Sequence, residues 1–246
     1  MILIVGSTKD DILFFESKIR NKKHEDILDK SFHLITGNIF NQKIGLLYNV
    51  HSSYLTTLVV HEVIVKYHVI LVVNVGYATS FSGELKTGDI VLARQTYFGD
   101  VNFTKMQHNM LAQIPSQPQF FQSDGYLNQL FASVLEKTLK SRYYLGSLVS
   151  INKVPESRED LSEVTFENTV LGRTNNVIVD SEGAGCALAS HLADIPFIVL
   201  KVVERSIDER LTVANYFKVL DRYADVGRAV TSLIGEVSRN DVRIGK

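Results

Sequence analysis

Four stretches of this chain are apolar with at most one interruption, and each stops at a glycine or an acid. Residues 2–5 end at Gly6, residues 69–75 at Gly76, residues 177–179 at Asp180 and residues 197–203 at Glu204. A strand wetted on one face alternates apolar with polar side chains, whereas a near-continuous apolar run is covered on both faces. Helical spacing lies between them. Leu58, Val59, Val63 and Ile64 fall within 56–67, and Leu127, Leu130, Phe131, Val134 and Leu135 within 126–140. Strands alternating with amphipathic helices predict a three-layer αβα sandwich around a mixed, mostly parallel sheet.

The remaining expectations complete that order. Ser7 to Asp11 offers cap chemistry for a helix running to about Lys22, whose end would carry the solvated pair Lys22 and Lys23. Residues 32–40 and 43–48 read as an antiparallel pair turning at Asn41-Gln42, and 89–94 and 143–151 as further strands. Residues 97–125 are polar, contain Pro115 and Pro118, and read as a long loop that is functional or partly disordered. Helices are expected at 158–168, 184–193 and 213–238. No repeat or linker divides the sequence, so residues 1–246 are expected to form a single domain.

Composition narrows the function classes. The net charge is −1, which gives no bulk attraction for nucleic acid. No window reaches the roughly 18 apolar residues that a membrane helix needs, and the N-terminus lacks a basic flank, so a cytoplasmic location is expected. The single cysteine, Cys186, sits among small apolar residues and reads as a buried structural thiol. The seven histidines show no metal-ligand spacing, since His61-Glu62 begins no H-E-x-x-H motif. His191 reads as a semi-buried side chain. No metal or cofactor is expected.

The segment Val177-Ile178-Val179-Asp180-Ser181-Glu182-Gly183-Ala184-Gly185 carries the chemistry. Strand alternation sends Asp180 and Glu182 the same way and Ser181 the other. Small residues follow, so a ligand can approach the backbone. Ligands bind at the carboxyl ends of strands in α/β sheets, and a carboxylate there suits a pair of sugar hydroxyls. The competing reading is a pair of solvated loop acids at an ordinary helix start.

The order of landmarks resembles the nucleoside phosphorylase/nucleosidase superfamily, and within it the methylthioadenosine/S-adenosylhomocysteine nucleosidases. The likeness rests on Ile4-Val5-Gly6 before an acidic stretch, Val72-Val73-Asn74-Val75-Gly76, Leu85-Lys86-Thr87-Gly88-Asp89-Ile90-Val91, Gly99-Asp100-Val101-Asn102-Phe103-Thr104, the acid pair, and the strand after Pro196. It covers nearly the whole chain. The resemblance implies hydrolysis of the N-glycosidic bond of a purine nucleoside or thionucleoside, and a homodimer or higher homo-oligomer. It implies that Glu182 binds the ribose hydroxyls beside Asp180, and that Asp11 or Asp10 positions water. Asn74 stands where the related phosphorylases place arginine for phosphate, so water is the expected acceptor.

The departures fall at the chemistry. A gapless reading puts Arg205 in the slot of the family's catalytic aspartate and Glu204 in that of the preceding serine. Arginine cannot donate a proton because its pKa stays above roughly 12, although it can stabilise charge on a leaving base; uridine phosphorylases resemble this chain in having an arginine at about this position. Arg205 or Asp208 is therefore expected at the base. The stacking aromatic becomes Val154, with Tyr77, Phe103 or Phe217 as substitutes, and Ser181 replaces a methionine beneath the sugar. Tyr77 adds bulk near the ribose, and the turn Val50-His51-Ser52-Ser53 lacks the family's glycine. Two alternatives follow: a catalytically degenerate nucleoside- or protein-binding homologue, or a phosphorylase of altered base specificity.

Overall fold

In a computed structural model, residues 1–28, 30–106, 108–139, 142–157, 176–207, 209 and 212–239 are described. The chain opens with β1 (Ile2–Val5), a 3-10 turn (Asp10–Ile12) and α1 (Leu13–Glu16), then β2 (Arg20–Ile27), β3 (Phe32–Ile39) and β4 (Gln42–Tyr48). It continues through α2 (Ser53–Tyr67), β5 (Leu71–Ser80), β6 (Ile90–Phe98), β7 (Phe121–Gln122) and α3 (Gly125–Thr138). It finishes with β8 (Tyr143–Ser150), β9 (Val177–Asp180), α4 (Gly183–Leu192), β10 (Phe197–Ser206) and α5 (Val213–Arg239).

The expected α/β architecture with a mixed, mostly parallel sheet is present. β1 lies between β4 and β5 and is parallel to both, and β10 continues parallel beyond β5. Strand alternation divides the core in two. Leu3 and Val5 face the side packed by α2 and α4, while Ile2 and Ile4 face the side packed by α3 and α5. These are the both-face burials that the apolar runs require.

The sheet does more than lie open between helix layers. β10 pairs with β5 and β6, β6 with β8, β8 with β9, and β9 returns antiparallel to β5. Five strands thus close a circuit, which gathers the ends of β5, β8, β9 and β10. Local pattern carries no signal for such closure, because pairing partners far apart in sequence decide it.

Several boundaries differ from the sequence expectation. The first helix ends at Glu16, and Lys22 and Lys23 lie on β2, an edge strand rather than a helix end. That strand is exposed along most of its length, so it has no apolar alternation to reveal it, and its charges hinder pairing with another chain. β5 does not stop at Gly76 but runs through it to Ser80, with Gly76 at φ +135°. Within the long 97–125 segment, Phe121–Gln122 pairs with β6 as β7. His191 is exposed, not semi-buried, with its ring 5.4 Å from that of Phe121. The helix expected at 158–168 lies outside the described residues. No described helix is long and apolar enough to cross a membrane.

Candidate active site

β9 delivers Asp180, and Glu182 follows two residues later at the N-terminus of α4. Both side chains meet Lys201, which enters from the middle of β10. Lys201 Nζ lies 2.5 Å from Glu182 Oε1 and 2.9 Å from Asp180 Oδ2, and donates to Val75 O at 3.4 Å. An ammonium has three N–H donors, and here three acceptors face it. The lysine side chain is completely buried and both carboxylates almost so. Burial pulls the Lys201 pKa down, but Asp180 and Glu182 outweigh that and hold it above its ordinary value. Glu182 is pushed up to about 7, chiefly by burial and then by Asp180, because two acids share one cation.

The remaining acceptor sites are also filled from within the chain. Asp180 Oδ1 accepts from Ser150 Oγ at 2.5 Å and from Gly183 N at 3.2 Å. Glu182 Oε2 accepts from Ser181 Oγ at 3.1 Å and Ser181 N at 3.3 Å. Gly183 is required by crowding, since a Cβ there would stand 2.1 Å from Leu148 Cδ2 and 3.0 Å from Asp180 Oδ2. Cys186 is buried in the same helix, and burial raises its thiol pKa well above the ordinary value.

Asp11 stands on the 3-10 turn after β1 and is buried. Its Oδ2 accepts from Thr8 N at 2.8 Å, while Oδ1 has no hydrogen-bond partner among the described residues. Burial raises its pKa, against the Thr8 hydrogen bond and the Lys201 charge. A Cβ on Gly76 would lie 3.3 Å from Asp11 Oδ2, so β5's backbone passes directly beneath this carboxyl. Tyr223 OH donates to Asp11 O, and the Tyr223 ring packs 4.9 Å from that of Tyr77. Asn74 is buried nearby, with Nδ2 donating to Val5 O at 3.2 Å and Oδ1 unpartnered. Buried acceptors are usually paired with a donor from protein or water, so these two oxygens can each still accept a hydrogen bond.

A family model described as the phosphorylase superfamily matches residues 1–236. The chain belongs to this superfamily. A 5'-methylthioadenosine/S-adenosylhomocysteine nucleosidase of Desulfotalea psychrophila is 24% identical over 225 residues, covering 90% of this chain and 91% of the relative. A solved nucleosidase of the same description from Neisseria meningitidis, in complex with methylthio-immucillin-A, superposes with a TM-score of 0.84. It is 20% identical, with coverage of 96% of this chain and 98% of that one. Futalosine hydrolase of Helicobacter pylori superposes with a TM-score of 0.80 at 22% identity, covering 96% and 97%.

The phosphorylase-superfamily fold brings some of the expected residues together and separates others. Asp180, Ser181 and Glu182 meet just past the end of β9, and Asp11, Tyr77 and Glu204 lie near enough to one another to interact electrostatically. Glu204 is half-buried at a register shift between Val203 and Arg205, and burial raises its pKa, opposed by Arg205 and reinforced by Asp11. The same shift re-aims the following side chain. Arg205 turns toward the loop after β8 and donates to Pro155 O. Val154 is 81% exposed and Phe217 62% exposed, so neither forms a closed stacking wall, and Phe217 instead meets Tyr216 edge-on at 5.9 Å. Asp208 lies outside the described residues.

Lys201, Ser150 and Tyr223 were not among the expected site residues. One signal for Lys201 existed: it is the sole charge inside an otherwise apolar buried strand, and such a charge needs partners. A cavity of about 230 Å³ opens near the ends of β6 and β8, lined by Gly99, Asp100, Asn102, Ile151 and Asn152 among others. Asn152 links it to the start of α2 by accepting from Ser53 N at 2.9 Å.

Proposed function

We propose that this protein hydrolyses the N-glycosidic bond of a purine nucleoside or thionucleoside of the methylthioadenosine or adenosylhomocysteine kind. The observation carrying this reading is the buried Asp11 carboxyl, with an open oxygen, set at the strand ends beside the Asp180–Glu182 pair. Superfamily membership and the named relatives support the substrate class.

In this reading Glu182 receives the ribose hydroxyls, and Lys201 fixes its other oxygen. Asp11 Oδ1 accepts a hydrogen from water, whose oxygen attacks C1′ as the C1′–N bond breaks and its electron pair moves to the base. The water proton passes to Asp11, which burial makes a stronger base than an exposed aspartate. Glu204, also shifted upward by burial, supplies a proton to the departing base. Water is favoured over phosphate as acceptor, because Asn74, where the related phosphorylases carry arginine, is uncharged, fully buried and turns a donor to Val5 O.

Asp11→Ala is the test. Hydrolysis of methylthioadenosine and adenosylhomocysteine is expected to fall by about 10²–10⁴-fold, with the circular dichroism spectrum unchanged. Full activity in a folded variant would remove Asp11 from the reaction. The internally satisfied state of Glu182 favours a second reading, a homologue that binds a nucleoside without turnover. A wild-type protein that binds these nucleosides and hydrolyses neither would establish it, and a requirement for phosphate would instead indicate a phosphorylase.

A homodimer is proposed alongside. Leu55, Leu58 and Val65 on α2 and Leu192 on α4 are each at least 45% exposed, and the two helices pack side by side. A second copy would cover this face.

A further inference from the structure

We propose that Ser181 is an internal stand-in for a ligand hydroxyl and thereby sets the affinity of the site for sugars, an inference that rests on Glu182 receiving the pentose. The two oxygens of Glu182 are held unequally. Oε1 is fixed by Lys201 at 2.5 Å, a short charge-assisted contact between fully buried groups. Among the described residues, Oε2 takes its donors only from the adjacent residue, Ser181 Oγ at 3.1 Å and Ser181 N at 3.3 Å.

Glu182 itself is 2% exposed, whereas Ser181 is half-exposed. The Ser181 side chain therefore lies on the solvent side of Oε2, where an incoming hydroxyl would have to arrive. A serine hydroxyl and a sugar hydroxyl offer the same single O–H donor. Rotation of Ser181 about its Cα–Cβ bond releases Oε2, and a sugar hydroxyl replaces it one for one. Lys201 keeps the carboxylate in place throughout. The free protein thus avoids an unsatisfied buried charge, and each binding event first breaks one hydrogen bond to that charge. A side chain without a donor at 181 would leave Oε2 open to the sugar and remove this competition.

The test compares the full chain carrying Ser, Ala, Cys or Thr at 181, with methylthioadenosine and its 2′,3′-dideoxy analogue as probes in calorimetric titration and steady-state assay. Ser181→Ala is expected to bind methylthioadenosine about three- to tenfold more tightly, the weight of one ordinary net hydrogen bond. KM falls correspondingly, and kcat does not rise. Ser181→Cys, a weak donor of similar bulk, follows Ala, and Ser181→Thr keeps the wild-type affinity. The dideoxy analogue binds all four alike. Equal or weaker binding of methylthioadenosine by the folded Ala and Cys variants overturns the stand-in role while leaving the ribose site intact. Equal binding of methylthioadenosine and the dideoxy analogue by the wild type overturns the ribose role of Glu182, and this inference with it.

Discussion

Moving the Lys201 ammonium out of water costs several kcal/mol, and only its three acceptors offset that. Removing it would leave two buried acids facing each other. Lys201→Met is expected to lower unfolding free energy by about 3–5 kcal/mol in urea titration, and an unchanged midpoint would mean that the acids find another partner. Glu182 gives the site a pH dependence of stability. Its folded pKa of about 7 exceeds its ordinary value of 4.5, so the native state holds a proton that the unfolded chain releases between those values. The resulting stabilisation is complete below about pH 4.5 and is lost as pH rises through about 7. The thermal midpoint is expected to fall between pH 5 and pH 8, less steeply in Glu182→Gln. Asp11 and Glu204 shift in the same direction and add to the slope in the same sense. An identical slope in the Gln variant would assign the effect elsewhere.

At the scale of elements, the start of α2 shows how a missing glycine is accommodated. Ser52 takes φ +78° and ψ 142°, a conformation costly for a side-chain-bearing residue, while its hydroxyl caps Leu55 N at 3.4 Å. The cap distance is long, and glycine at this position loses only a few tenths of a kcal/mol of capping. Ser52→Gly is therefore expected to raise unfolding free energy by about 1 kcal/mol, read as a higher urea midpoint at constant slope. A lower midpoint would show that the Ser52 cap outweighs the backbone cost. β10 illustrates the converse. Its seven residues 197–203 read as a strand from composition, yet the register shift at Glu204 is a tertiary event that moves Arg205 toward Pro155.

For the whole molecule, the α2–α4 face is the surface on which assembly is argued. Leu58 is 57% exposed, so Leu58→Asp removes little from the monomer's core. The wild type is expected to sediment as a dimer and the variant as a monomer at the same concentration. A wild-type monomer, or a variant that stays dimeric, would place the contact elsewhere or abolish it.

The sequence by itself determined what local pattern encodes. Unbroken apolar runs can be satisfied only by strands covered on both faces, and amphipathic helices must do the covering, so the α/β class was legible before any coordinate. Both acids meet Lys201, but not by strand alternation: β9 ends at Asp180, Glu182 is the N-cap residue of α4, and Ser181, expected on the opposite side, donates its hydroxyl to Glu182. Edge strand β2 was illegible because a strand wet on both faces has no periodicity. The closed circuit of β5, β10, β6, β8 and β9, the burial of Glu182 against Lys201, and the outward placement of Val154 and Phe217 were decided only by the tertiary structure. Each depends on which distant segments meet. A pairing energy between residues 19 or 126 positions apart, as at Lys201 with Glu182 and Val75, leaves no trace in the neighbouring sequence of either partner.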